Sequence, residues 1–176
     1  MYFYRAKKID DWNAKDYEEV NNLITDINAA SLEFDKTRIE LDKICPKPNI
    51  EQVEVQTLMF ENGLGFFQIF EKVGYLRKVN AIHNWLVKNI QDGKDECQSS
   101  IFTKDKIMKL KHTCRFVMKD ILEGPSMLPT TKGFFFGSTG YDISYIQDVK
   151  EAQDICENIL NTTNFDKQVI LYRASW

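Results

Sequence analysis

Histidine is nearly absent from the chain: His83 and His112 are the only two among 176 residues. No histidine pair stands at metal-ligand spacing, and no serine, histidine and acid set can be assembled, so neither metal nor triad chemistry is suggested. Cysteine is sparse too. Cys45, Cys97, Cys114 and Cys156 occur singly, with gaps far wider than those of zinc knuckles, so structural zinc is not expected. Long apolar runs are missing: Gly63 to Phe67 and Gly133 to Phe136 fall far short of the ~20 residues that cross a bilayer. The start, Met1-Tyr2-Phe3-Tyr4-Arg5, lacks the basic segment, apolar run and cleavage site of a secretory signal. A cytoplasmic protein with no membrane contact is expected. No internal repeat, low-complexity tract or linker interrupts the chain, and no motif implies a cofactor.

What the chain has is material for a core. Hydrophobic residues make up 43% and aromatics 12% of it, enough for a chain of this length to bury a large interior without staples. The net charge of −3 is too small to make nucleic acid an obligatory partner, but it is unevenly spread. Residues 1–70 carry eight basic and thirteen acidic side chains, whereas Ile101 to Asp120 sets six bases against Asp105 and Asp120.

The periodicity predicts an α+β fold in one domain, with a small sheet covered by amphipathic helices. Met1 to Lys8 reads as a strand. A helix opens at Asp16, on Val20, Leu23, Ile24, Ile27, Ala30 and Phe34, and runs to about Ile44, where Cys45-Pro46-Lys47-Pro48 must stop it. Val53 and Val55 suggest a short strand before Gly63-Leu64-Gly65. From Phe66 onward helical spacing returns, with Val79, Ile82, Leu86 and Ile90 as a stripe closed at Gly93. Thr103 is placed to cap the next helix, which buries Ile107, Leu110, Cys114, Val117, Met118 and Ile121 and ends at Gly124-Pro125. Gly133 to Gly137 reads as a strand. Asp142 then caps a helix burying Tyr145, Ile146, Val149, Ala152, Ile155, Cys156, Ile159 and Leu160, and Val169 to Tyr172 closes the chain as a last strand. The sheet is expected to join the N-terminal, Phe134 and Val169 segments. Cys114 and Cys156 fall on apolar faces, where a thiol behaves as a small buried hydrophobe.

Four segments hold groups able to do chemistry. In Tyr75 to Trp85, Arg77, Lys78, Asn80 and His83 are dense enough to hold a ligand, yet His83 lies in the apolar stripe, where a neutral core histidine with one hydrogen bond is the expected reading ahead of general acid or base work. Positions four before and after it are Val79 and Val87, so no carboxylate at helical spacing orients it. Trp85 is expected at the margin of the core, its indole near solvent. Lys132 to Asp142 resembles strand, glycine turn and helix start, an arrangement that offers amides to an anion or simply packs a helix tightly on a strand. Its glycines match neither a Walker loop nor a dinucleotide fold. Within it Ser138, Tyr141 and Asp142 are the ligand candidates. Lys104, Lys111, Arg115 and Lys119 share one side of a helix, a partner surface for an acidic protein or nucleic acid, or a solvated face, with no aromatic interleaved to stack bases. At the C-terminus, Trp176 reads as a core plug.

Tyr75-Leu76-Arg77-Lys78-Val79-Asn80-Ala81-Ile82-His83-Asn84-Trp85, Leu128-Pro129-Thr130, Gly133-Phe134-Phe135-Phe136-Gly137-Ser138, Tyr141-Asp142 and Ser175-Trp176 together resemble a family of small bacteriophage and prophage proteins of uncharacterised activity. The likeness covers about residues 71–176, a family-like core, and leaves 9–70 as a divergent or inserted helical segment. Leu76 and Val79 stand where that family commonly has tryptophan and alanine. The resemblance implies a phage origin and a place in the cytoplasm of an infected bacterium.

Two functional expectations follow. The first is a non-catalytic phage protein that binds and modulates a host component, such as a nuclease-based defence of the CRISPR kind, through residues 9–70 or the basic helix. The second is a small-molecule or nucleotide-binding protein, or an enzyme, whose pocket joins Arg77, Lys78, Asn80 and His83 to Ser138, Tyr141 and Asp142. The missing catalytic constellation favours the first.

Overall fold

The computed structural model describes residues 1–31, 70–133 and 137–175, and the chain divides into two compact units, 1–8 with 72–176, and 9–71. The fold is α+β. The larger unit is built on a four-stranded antiparallel sheet in the order β2-β1-β4-β3, comprising β1 (Tyr2–Lys7), β2 (Glu71–Tyr75), β3 (Ser100–Ile101) and β4 (Gln168–Arg173). Along β1 and β4 the register runs from Tyr2 opposite Arg173 to Lys7 opposite Gln168. Ser100 of β3 stands opposite Tyr172.

The helix described in the smaller unit is α1 (Ala14–Ser31). Asn13 caps it, its Oδ1 accepting from the Lys15 and Asp16 amides, while Asp16 Oδ2 accepts from the Asn13 amide. This reciprocal box satisfies donors that a helix start leaves open, and it begins the helix two residues before the expected Asp16. Tyr17 is buried, takes the Ile9 amide on its hydroxyl at 3.0 Å and meets Trp12 edge-on. The expected continuation to Ile44, the strand at Val53 and Val55, and Cys45 lie outside the described residues.

In the larger unit α2 (Asn80–Ile90), α3 (Lys104–Lys119) and α5 (Ile143–Thr162) supply the layer over the sheet, with a short α4 (Gly124–Met127) between them. The core joins Phe3, Ile170 and Tyr172 of the sheet to Ile82 and Leu86 of α2, Ile107, Leu110 and Val117 of α3, and Val149 and Ile159 of α5. Cys114 and Cys156 are buried there as free thiols, and burial pushes both well above the ordinary thiol range. Thr103 caps α3 through the Lys106 amide, and Asp142 caps α5 through those of Ser144 and Tyr145, as their positions predict. No helix among the described residues is long and apolar enough to cross a membrane.

Four expectations are corrected. The helical spacing from Phe66 does not make one helix: Glu71–Tyr75 is a strand, and α2 starts only at Asn80. Reciprocal bonds between Met1 and Leu76 hold the chain beside β1. Gly74 lets α5 close on the strand, since a β-carbon there would lie 2.6 Å from Ile155 Cγ2. Next, α3 stops at Asp120, whose side chain caps a 3-10 turn over Ile121–Glu123, and Pro125 opens α4 rather than ending α3, a position where its missing amide costs nothing. Third, β2 and β3 contribute to the sheet in addition to the N-terminal and Val169 segments, while Phe134 to Phe136 and Trp176 lie outside the described residues. Trp85 is 7% exposed and packs inside the core rather than along its margin.

Candidate functional site

The described residues 128–133 and 137–142 are held down by side chains of α2 and α5. Asn80, 4% exposed, donates from Nδ2 to the Ser138 carbonyl at 2.7 Å and accepts the Thr131 amide on Oδ1 at 3.0 Å. One amide group thus fixes both limbs of the loop. Asn84 Nδ2 donates to the Pro129 carbonyl, and the Tyr145 hydroxyl donates to that of Leu128 at 3.0 Å. Thr130 closes the loop on itself, donating from Oγ1 to the Thr139 carbonyl and from its amide to the Tyr141 hydroxyl. Tyr141 meets Tyr145 edge-on. At Gly124 a β-carbon would stand 3.0 Å from the Tyr145 hydroxyl and 3.1 Å from the Tyr141 ring, so these rings depend on glycine there.

Between this loop, the segment before α2 and the start of α5 lies a cavity of about 240 Å³. Arg77, Lys78 and Asn80 line it with Thr130, Ser138, Asp142, Ser144 and Asp148, over an apolar floor that includes Val79 and Val149. Lys78 holds a left-handed backbone, φ 59°, which is uncommon for a residue with a side chain and is found where the surroundings impose it. Gly137, φ 78°, is packed on it.

Arg77 and Lys78 are exposed, and among the described residues neither forms an ion pair. Val79, the residue preceding α2, gives that helix no side-chain cap, so the positive end of an 11-residue helix faces the cavity beside two cations. Two carboxylates line the same space. Asp142 spends Oδ1 on the α5 cap. Asp148 is pushed up to about 6, first by burial and then by the charges of Glu151 and Asp142.

The two sequence segments therefore converge. Arg77, Lys78, Asn80, Ser138 and Asp142 meet at the cavity, whereas His83 and Tyr141 do not line it. Thr130, Ser144 and Asp148 complete the lining without having been singled out. Ser144 and Asp148 stand four apart on the face of α5 that begins at the Asp142 cap, the one signal in the sequence that could have found them.

His83 belongs to a different arrangement. It is buried, as its place in the stripe predicts, but it makes two side-chain hydrogen bonds rather than one: Nδ1 with the Tyr172 hydroxyl at 2.7 Å and Nε2 with Asp95 Oδ2 at 2.8 Å. The orienting carboxylate comes from the loop after α2 rather than from the helix. An ionised carboxylate only accepts, so Nε2 donates to Asp95, and the tautomer this selects leaves Nδ1 to accept from the Tyr172 hydroxyl. Burial, reinforced by Asp95 and Cys97, pushes the Tyr172 phenol far up, which keeps it a donor.

The expected basic face of α3 is partly used inside the fold. Lys111 pairs with Glu157 at 3.0 Å, and Lys104 lies over the Phe165 ring. Arg115 and Lys119 are exposed, as are Met108 and Phe116 on the same helix. Among the described residues no group of three histidine, cysteine or acidic side chains is placed to hold a metal ion. No protein-family model, curated protein or solved structure matches the chain.

Proposed function

We propose that the chain is a binding protein for a small anionic molecule, held at the cavity between the Arg77 to Ala81 segment and the Ser138 to Val149 segment. One observation carries this reading: two cations that form no ion pair among the described residues, Arg77 and Lys78, stand at one concave space with a helix N-terminus that has no side-chain cap. Cations in water attract little, but converging charges and helix amides at a concave site form a ready anion trap. The cavity suits a single phosphate or carboxylate with a few further atoms and is too small for a dinucleotide. With no nucleophile and base assembled at the cavity, binding is the role proposed rather than catalysis.

Thermal-shift titrations with inorganic phosphate, acetate and mononucleotides test it. A ligand present at ~100 times its dissociation constant stabilises by about 2.7 kcal/mol, and that shift should vanish in Arg77→Ala. Lys78→Gly is the sharper variant, since it removes the charge while suiting the left-handed backbone. Its melting temperature should stay near that of the parent while the response to anions falls. A flat response of the parent protein to every anion would refute the reading.

A second reading rests on the outer face of α3, where Met108 and Phe116 stand exposed with Arg115 and Lys119. Apolar side chains set among cations suit an acidic protein partner. Together with the resemblance to phage proteins, this supports binding to a host component, such as a defence nuclease, in the bacterial cytoplasm. A stoichiometric partner recovered from the host by the parent protein and lost with Arg115→Glu and Lys119→Glu supports it. Equal recovery by both proteins, or none by either, counts against it.

A further inference from the structure

Cations and carboxylates line the same cavity without neutralising one another. Arg77 and Lys78 come from the segment before α2, Asp142 and Asp148 from the start of α5, and no ion pair joins the two sets among the described residues. Opposite charges that could pair across a closed gap normally do so, because each loses solvation as the site forms. Here the gap is a space large enough for a small molecule. Asp142 has one oxygen committed to the helix cap, while Oδ2 lies on the side of Gly140 and Ser138: a β-carbon on Gly140 would stand 3.3 Å from it and 3.4 Å from Ser138 Oγ. Glycine at 140 thus keeps that oxygen uncovered.

We infer that the ligand of this cavity is a small zwitterion, an anionic group and a primary ammonium separated by a few bonds, with the anion at Arg77 and Lys78 and the ammonium at Asp148 and Asp142. The inference rests on the anion-binding reading above and narrows its ligand class. A plain anion leaves two carboxylates facing its own charge, whereas a zwitterion pairs both sets at once. The charges acting on Asp148 come from Glu151 of the same helix and from Asp142 at its cap, while Arg77 and Lys78 line the same cavity from the segment before α2. The Asp148 carboxyl is pushed up to about 6, first by burial and then by the charges of Glu151 and Asp142, and an ammonium seated there offsets both the lost solvation and the repulsion.

Calorimetric titration with two matched pairs tests this: O-phosphoethanolamine against inorganic phosphate, and β-alanine against propionate. Near neutral pH, the amine-bearing member of at least one pair should bind at least about tenfold tighter than its partner, as a charge-assisted hydrogen bond provides. Asp148→Asn should remove that preference. Lowering the pH to about 5 should shrink the preference of the parent protein for β-alanine over propionate, as Asp148 takes up a proton. The two pairs also distinguish a phosphate-bearing ligand from a carboxylate-bearing one. Equal affinity within both pairs overturns the zwitterion inference and leaves the anion site standing. A preference that survives in Asp148→Asn overturns the assignment of the ammonium site. No binding by any of the four probes overturns both.

Discussion

Lys78 and Gly137 meet backbone to backbone: a β-carbon on Gly137 would lie 3.0 Å from the Lys78 carbonyl oxygen, and both residues hold left-handed dihedrals. The contact sets one edge of the cavity, because it places the Lys78 side chain and the Ser138 carbonyl that Asn80 grips.

Gly137→Ala should therefore be costly twice over, through the left-handed backbone and through the close approach. A loss of about 1–3 kcal/mol is expected in chemical denaturation, together with a weakened response to anions. Unchanged stability would mean that the loop does not need this approach.

The Tyr172→Phe variant keeps the shape of a fully buried ring but deprives His83 Nδ1 of its donor. Leaving a buried acceptor unsatisfied costs about 1–3 kcal/mol, so urea unfolding should show a loss in that range. Because Tyr172 does not line the cavity, anion affinity should stay at the parent level. Loss of binding in a stably folded Tyr172→Phe would tie the histidine chain to the site and contradict the separation drawn between them.

Asp148 gives the chain a definite pH signature. Its carboxyl titrates at about 6 in the folded protein against 3.8 for the ordinary group, so between those values the folded state holds a proton that the unfolded chain has released. Stability from this group is present below the ordinary value and is lost as the pH rises through about 6. Asp148→Asn should then melt at a higher temperature than the parent near pH 8, with the advantage gone near pH 4. A destabilised variant near pH 8 would show instead that the ionised carboxylate has a stabilising partner.

How much of this was legible in the sequence depended on the reach of each signal. The helices α3 and α5 were legible because their stripes repeat over four or more turns and their caps, Thr103 and Asp142, act within three residues. β2 was not, because Glu71 to Tyr75 has no clean alternation and its flanks mimic helical spacing. What makes it a strand is pairing beside a β1 that lies some seventy residues earlier, as the span of 75 between Met1 and Leu76 shows. β3, of two residues, carries no pattern at all. The convergence of the Arg77 and Ser138 segments could be suspected from their density of polar groups. The partners of His83 could not, since they lie 12 and 89 residues away, and the strained acidity of Asp148 arises only once α5 folds against the cavity.

The most direct test of the central claim is a two-dimensional amide NMR titration of the intact protein with inorganic phosphate and with O-phosphoethanolamine. Saturable shifts concentrated on Arg77 to Ile82 and on Gly137 to Val149, absent from Arg77→Ala, are the result predicted for a ligand seated in this cavity. Shifts that fail to saturate, or that gather on the outer face of α3 around Arg115 and Lys119, would contradict it.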